Sequence, residues 1–175
     1  PMAFDHAANG QIIVHSSRQG MDDAVAQMRV QAALGSEQQA LSAAECLAME
    51  PGLASIAGRM VGGIYTPSEE VGDCRKLCGE LARVLPVEFR LGTEVRRLVL
   101  ERGRVRAVET SAGALEAELY VLAAGPGSRG LGRTAGVRTN ILPIRGYSIS
   151  PAVRQSNLAP VRSITDTHVK TVYAP

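Results

Sequence analysis

Hydrophobic and polar positions change their period midway along this 175-residue chain. In the first half the spacing is mostly helical. GQIIVHSS (10–17) is an apolar run behind the turn pair Asn9-Gly10 and reads as a strand. MDDAVAQMRVQAALG (21–35) then sets Met21, Val25, Met28 and Ala32 on one face of a helix, with Asp22 and Asp23 favouring its start and Gly35 its stop. In LSAAECLAMEPG (41–52), Ser42 and Glu45 have capping-box spacing and Pro51 ends the helix. GGIYTP (62–67) reads as a short strand. GDCRKLCGELARVLP (72–86) gives the clearest helical pattern. Cys74, Leu77, Cys78, Leu81, Val84 and Leu85 recur at i, i+3, i+4 and i+7, Asp73 is the N-cap, and Pro86 closes the segment.

From residue 87 the period falls to two. VEFRLG (87–92), VRRLVL (95–100), VRAVET (105–110) and LEAELYVLAAG (115–125) read as four strands, with ERGR and SAGA as tight turns between the last three. The final run, LYVLAA, is continuously apolar and suits a parallel strand covered on both faces. The tail (137–175) is strand-like and rich in turns. The pattern contains no repeat and no low-complexity segment.

Composition narrows the class of function. The chain is 45% hydrophobic and 21% charged, an ordinary globular mixture, with a net charge of +2. No basic stripe with interleaved aromatics is present, so nucleic acid is not expected as a partner. The arginines at 96, 97, 102, 104 and 106 flank the expected hairpin and read as a solvated face. No apolar stretch approaches the ~18 residues of a membrane span. The abrupt ends, PMAFDHAANG and VKTVYAP, read as those of a piece of a longer protein. Cys46, Cys74 and Cys78 are an odd set with no partners spaced for zinc, and read as core thiols in a reducing compartment; no metal site is expected.

The candidate chemistry lies at Gly125, Gly127 and Gly130, which have the spacing G-x-G-x-x-G behind the apolar run. A dinucleotide fingerprint also needs a helix whose N-terminus faces the pyrophosphate, and an acidic residue about 20 positions on for the ribose. Here Gly132, Gly136 and Pro143 interrupt any long helix, and no Asp or Glu occurs between Glu118 and Asp166. No Gly-Lys-Ser/Thr supports a P-loop either. Two readings stay open. Ala124-Gly125 is either the end of a strand that lets backbone approach a flavin dinucleotide, or a plain strand-to-loop turn.

LSAAECLAMEPGL, GGIYTPSEEVGDCRKLCGELA, TEVRRLVLERGRVRAVETSAG, YVLAAGPGSRGL and LPIRGYSIS occur in that order. Together they resemble the FAD-dependent D-amino-acid oxidase and glycine oxidase superfamily. FDHAANGQIIVHSS, and PIRGYSI followed by APVRSITDTHVK, are most similar to its bacterial D-amino-acid dehydrogenase branch, the FAD-bearing small subunit. The resemblance covers nearly the whole chain. It implies a mixed α/β (α+β) fold in which a Rossmann-like FAD domain is interleaved with an antiparallel-sheet substrate domain. Residues 1–68 would then be the first part of the substrate domain, 69–137 the middle of the FAD domain with its hairpin, and 138–175 the return to the substrate domain. The family's N-terminal fingerprint and C-terminal flavin-contacting segment match nothing in these residues.

By the same resemblance, the Val95 backbone would hold adenine. Ala124 and Gly125 would face the FAD, and Arg145 and Gly146 would sit beside the flavin. Tyr147, Lys170 and Tyr173 would face substrate, with His168 nearby. The implied reaction is oxidation of a D-amino acid such as D-alanine to a 2-oxo acid and ammonium, by hydride transfer to flavin. Electrons would pass to a quinone or respiratory acceptor, in a cytoplasmic protein peripheral to the inner membrane. The alternatives are a glycine or sarcosine oxidase using oxygen, and a silent piece that binds no flavin.

Overall fold

The computed structural model describes residues 2–153 and 159–175. The chain divides into two units. One comprises Pro1–Pro86 with Pro151–Pro175, the other Val87–Ser150.

The first unit is built on a five-stranded sheet whose strands lie in the order Gln39–Ser42, Gly62–Thr66, Gln11–His15, Ser163–Asp166, Thr171–Tyr173. The alternation at 10–17 becomes β1 (Gln11–His15), which buries Ile12 and Val14. Gly10 precedes it with φ +77°, and a Cβ there would lie 2.6 Å from the Tyr65 ring and 2.9 Å from the Thr66 carbonyl. The turn into β1 therefore requires glycine. Helix α1 (Arg18–Ala32) starts earlier than the 21–35 expected, because the Ser17 hydroxyl accepts from the Gly20 N–H at 3.1 Å and sets the N-cap ahead of Asp22 and Asp23. Strand β2 (Gln39–Ser42), absent from the sequence reading, leads directly into α2 (Ala43–Met49). The capping box forms as its spacing predicts. The Glu45 N–H donates to Ser42 Oγ (3.2 Å) and the Ser42 N–H to the Glu45 carboxylate (2.7 Å). After Glu50 the chain tightens into a 3-10 helix, Pro51–Arg59, where the sequence suggested a plain stop.

β3 (Gly62–Thr66) pairs antiparallel with both β2 and β1. Far along the chain, β7 (Ser163–Asp166) joins the other side of β1 in parallel, and β8 (Thr171–Tyr173) closes the edge antiparallel. The sheet is thus mixed, with one parallel pair at its centre. One face carries Ile12, Val14 and Ile164 under Leu41, Cys46, Leu53 and Met60, and this is the core. Helix α3 (Cys74–Val84) is capped by Asp73, which accepts from the Lys76 N–H at 2.9 Å, as its pattern predicts. No residue of α3 is fully buried, and Cys74 and Cys78 are exposed. The core-thiol expectation therefore holds only for Cys46, whose thiol burial pushes up.

The second unit is an antiparallel meander of β4 (Val95–Glu101), β5 (Arg104–Thr110) and β6 (Gly113–Glu116). Arg102 (φ +51°) and Gly103 (φ +77°) form the two-residue turn of the first hairpin, the pair of positive φ values that matches strand twist. The arginine cluster is balanced across strands. Arg97 meets Glu109 at 2.6 Å and Arg106 meets Glu116 at 2.9 Å.

Of the expected strands, 87–92 does not form and 115–125 stops at Glu116, within β6. Residues 87–92 and 117–124 are irregular, and Leu91, Leu119 and Val121 are more than four-fifths or about four-fifths exposed (87%, 80% and 82%). A strand is stabilised only by hydrogen-bonded neighbours, and no strand among the described residues runs beside either segment. Residues 117–120 are held by a side chain instead. The Tyr120 hydroxyl accepts from the Ala117 N–H and donates to the Arg106 carbonyl, both at 2.7 Å. Among the described residues no helix is long and apolar enough to cross a membrane.

Candidate functional site

The glycine cluster folds as a 3-10 turn, Gly125–Gly127, running into a short helix α4 (Ser128–Thr134). Ser128 is buried, and its hydroxyl accepts the Ala124 N–H at 3.0 Å, which fixes the chain as it enters the turn. Gly125 adopts φ +53°, and a Cβ placed there would meet no heavy atom within 4 Å. Its backbone face is therefore open. Thr134 ties α4 to β4: its hydroxyl donates to the Leu131 carbonyl (2.6 Å) and accepts the Leu98 N–H (2.9 Å). Val95 begins β4, an edge strand, just before a register shift and opposite Thr110. Its site thus offers main-chain groups rather than a packed side chain, and Val95 is 42% exposed.

The expected Arg145, Gly146 and Tyr147 lie in irregular, exposed chain, with Tyr147 at 90% exposure. These three belong to the second unit with Val95, Ala124 and Gly125; Lys170 and Tyr173 belong to the first. Lys170 takes φ +53° in the turn between β7 and β8. Tyr173 lies on β8 opposite Ile164, and it lines an apolar cleft of about 240 Å³ with Leu53, Ile56 and Pro160.

Two buried carboxylates that sequence reasoning missed hold this hairpin in place. Asp166, 1% exposed, accepts from the backbone N–H of His168 (3.0 Å) and Val169 (3.4 Å) and from Arg59 Nη2 (2.5 Å). The Arg59 guanidinium keeps its carboxyl below the usual carboxylate range, against the opposing effect of burial. Glu50, also 1% exposed, accepts from the N–H groups of Val161 (3.2 Å) and Arg162 (3.1 Å) at the other end of β7. Arg162 Nη1 closes the clamp on the Met49 carbonyl at 2.8 Å. Glu50 before Pro51, and an Asp ending an apolar alternation, are the only sequence signals of this arrangement.

Comparison with known proteins follows the same direction. A family model described as FAD dependent oxidoreductase matches residues 2–175. D-amino acid dehydrogenase 2 of Ralstonia nicotianae is 39% identical over 181 residues, covering 99% of this chain and 43% of that protein. D-amino acid dehydrogenase of Paramagnetospirillum magneticum is 38% identical over 176 residues, covering 99% and 42%. The chain thus spans about two fifths of the length of the curated relatives it matches. Among solved structures, L-proline dehydrogenase from P. horikoshii superposes with a TM-score of 0.75 at 14% identity, over 94% of this chain and 45% of that one. Glycine oxidase from Geobacillus kaustophilus gives a TM-score of 0.64 at 24% identity, over 77% and 36%. These likenesses fix the mixed α/β fold.

Proposed function

The chain belongs to the FAD dependent oxidoreductase family, and from that premise we propose that the protein oxidises D-amino acids such as D-alanine to 2-oxo acids and ammonium. The observation that carries this reading is the likeness to D-amino acid dehydrogenases along nearly the whole chain. Bound FAD would supply the hydride acceptor for oxidation of the substrate at its Cα. The residues present fit part of that group. Gly125 offers an open backbone face, and Ala124 is fixed beside it by Ser128. With Arg145 and Gly146 they are the proposed flavin contacts, while the Val95 main chain would hold adenine.

Tyr147, Lys170 and Tyr173 are proposed to orient the substrate, which needs no protein base for the Cα hydrogen. The fixed hairpin supports this role for the last two, since Glu50 and Asp166 pin β7 at both ends. Residues 1–68 and 138–175 are assigned to the substrate domain and 69–137 to the FAD domain. The electron acceptor is proposed to be a quinone or respiratory-chain component, met by a cytoplasmic protein peripheral to the inner membrane.

The test uses the protein loaded with FAD and supplied with D-alanine and a quinone analogue. D-alanine-dependent quinone reduction is the expected result. Glycine-dependent peroxide release with no D-alanine activity assigns it instead to the glycine oxidase type. A protein that takes up no FAD, and so develops no flavin absorbance, overturns the reading altogether.

A further inference from the structure

Cys74 and Cys78 are thiols that the core does not use. Both are exposed, whereas Cys46 is buried and withdrawn from solvent. Both lie on α3, where the Asp73 cap fixes the first turn that carries Cys74. Positions i and i+4 of a helix stand one above the other, with Cβ atoms about 5–6 Å apart. The spacing that gave these residues a core pattern in the sequence therefore presents a pair of sulfur ligands to solvent.

That geometry limits what the pair can do. A disulfide needs Cβ atoms ~3.5–4.5 Å apart, so the two thiols cannot join while the helix is intact. Zinc takes at least three protein ligands, and among the described residues no group of three or more His, Cys, Asp or Glu could hold a metal ion. A two-coordinate soft cation has neither requirement. Two metal–thiolate bonds of ~2.3 Å laid in line span ~4.6 Å, slightly less than the Cβ separation, so the ion bridges the pair with the helix unbroken. Thiolate sulfur is a soft ligand and selects copper(I) among biological ions of this kind. The charge agrees. When copper(I) binds, each thiol gives its proton to solvent, and the two thiolates leave the complex with a single negative charge. Arg75 directly follows Cys74 and lies three positions before Cys78, and the first turn of a helix favours negative charge.

We propose that Cys74 and Cys78 form a linear bis-thiolate site for a soft monovalent cation, copper(I). The site is independent of the flavin reading and of the Tyr173 cleft.

The test is anaerobic titration of the full chain with copper(I), with bicinchoninate as competitor and colour reporter. Uptake of one copper per chain is expected, with the far-ultraviolet circular dichroism unchanged. Cys74→Ser and Cys78→Ser should each weaken binding about a hundredfold or more, the advantage that a second tethered ligand confers. The decisive variant combines Cys78→Ala with Gly79→Cys. It keeps two exposed thiols but turns one of them to another side of the helix. A Cβ at Gly79 meets no heavy atom within 4 Å, so the fold persists. This variant should bind as weakly as the single ones, and excess zinc should not displace copper from the wild type. No uptake, equal affinity in the displaced variant, one copper shared between two chains, or displacement by zinc overturns the proposal.

Discussion

Replacing Asp166 by Asn tests whether the buried ion pair holds the β7–β8 hairpin. The substitution keeps the side-chain volume and one acceptor oxygen but removes the charge. The two backbone donors and Arg59 Nη2 now compete for a neutral amide. Hydrogen bonds to a charged group are worth ~1.5–3 kcal/mol. Arg59 keeps 36% of its side chain in solvent, and water screening moves the expected loss to the lower half of that range, ~2 kcal/mol. For a chain of this size each kcal/mol shifts the melting temperature by ~2–4 °C, so a drop of ~4–8 °C is expected.

The pH dependence has a definite sign. The folded carboxyl titrates below its unfolded value of about 3.9. Its contribution is complete above that value and is lost as pH falls through the folded pKa. The gap between wild type and Asp166→Asn, measured by urea unfolding followed by circular dichroism, should be constant from pH 7 to 5 and smaller at pH 3. Arg59→Met, which leaves a buried carboxylate without its cation, should lower the melting temperature further than Asp166→Asn. An unchanged melting temperature in Asp166→Asn, or a gap that widens in acid, refutes the clamp.

Three further outcomes follow from local geometry. Ser42→Ala removes the hydroxyl that caps α2 and should cost ~1 kcal/mol in unfolding experiments, because an N-terminal N–H loses its acceptor. Arg102→Asn, at φ +51° in the β4–β5 turn, should raise stability by a few tenths to ~1 kcal/mol, since Asn tolerates the left-handed region better than Arg. Gly125→Ala forces a Cβ onto a residue at φ +53° and should cost ~1 kcal/mol. In the FAD-loaded protein it should also weaken flavin retention, read from absorbance after gel filtration.

What the sequence disclosed is local, and what it concealed is non-local. Asp73 and the Cys74–Leu85 stripe specify α3, Ser42 and Glu45 specify the start of α2, and Arg102-Gly103 specify the hairpin; each is a short-range device readable within one turn. The α1 boundary slipped because Ser17 and the two aspartates are all competent starts, and only the fold chooses between them. LYVLAA was misassigned for a different reason. Its apolar run states a requirement for parallel neighbours, and the sequence does not say whether these 175 residues supply them. The candidate site divides in the same way. The glycine turn around Gly125 was legible, whereas Glu50, Arg59 and Asp166 take their roles from partners up to 112 positions away, as for Glu50 and Arg162.

The parallel pairing of β1 with β7 also bears on how the polypeptide is made. Gln11 finds its neighbours on β7 only 152 and 154 residues downstream. The centre of the first sheet therefore cannot close until the intervening chain, with its entire β4–β6 meander, has left the ribosome. Closing so long a loop late is entropically costly, and non-local strand pairing is slow. Until then β1 presents an unpaired edge, while the meander needs only its own neighbours. The order of assembly is thus written into the interruption: the inserted module matures before the sheet that surrounds it in sequence.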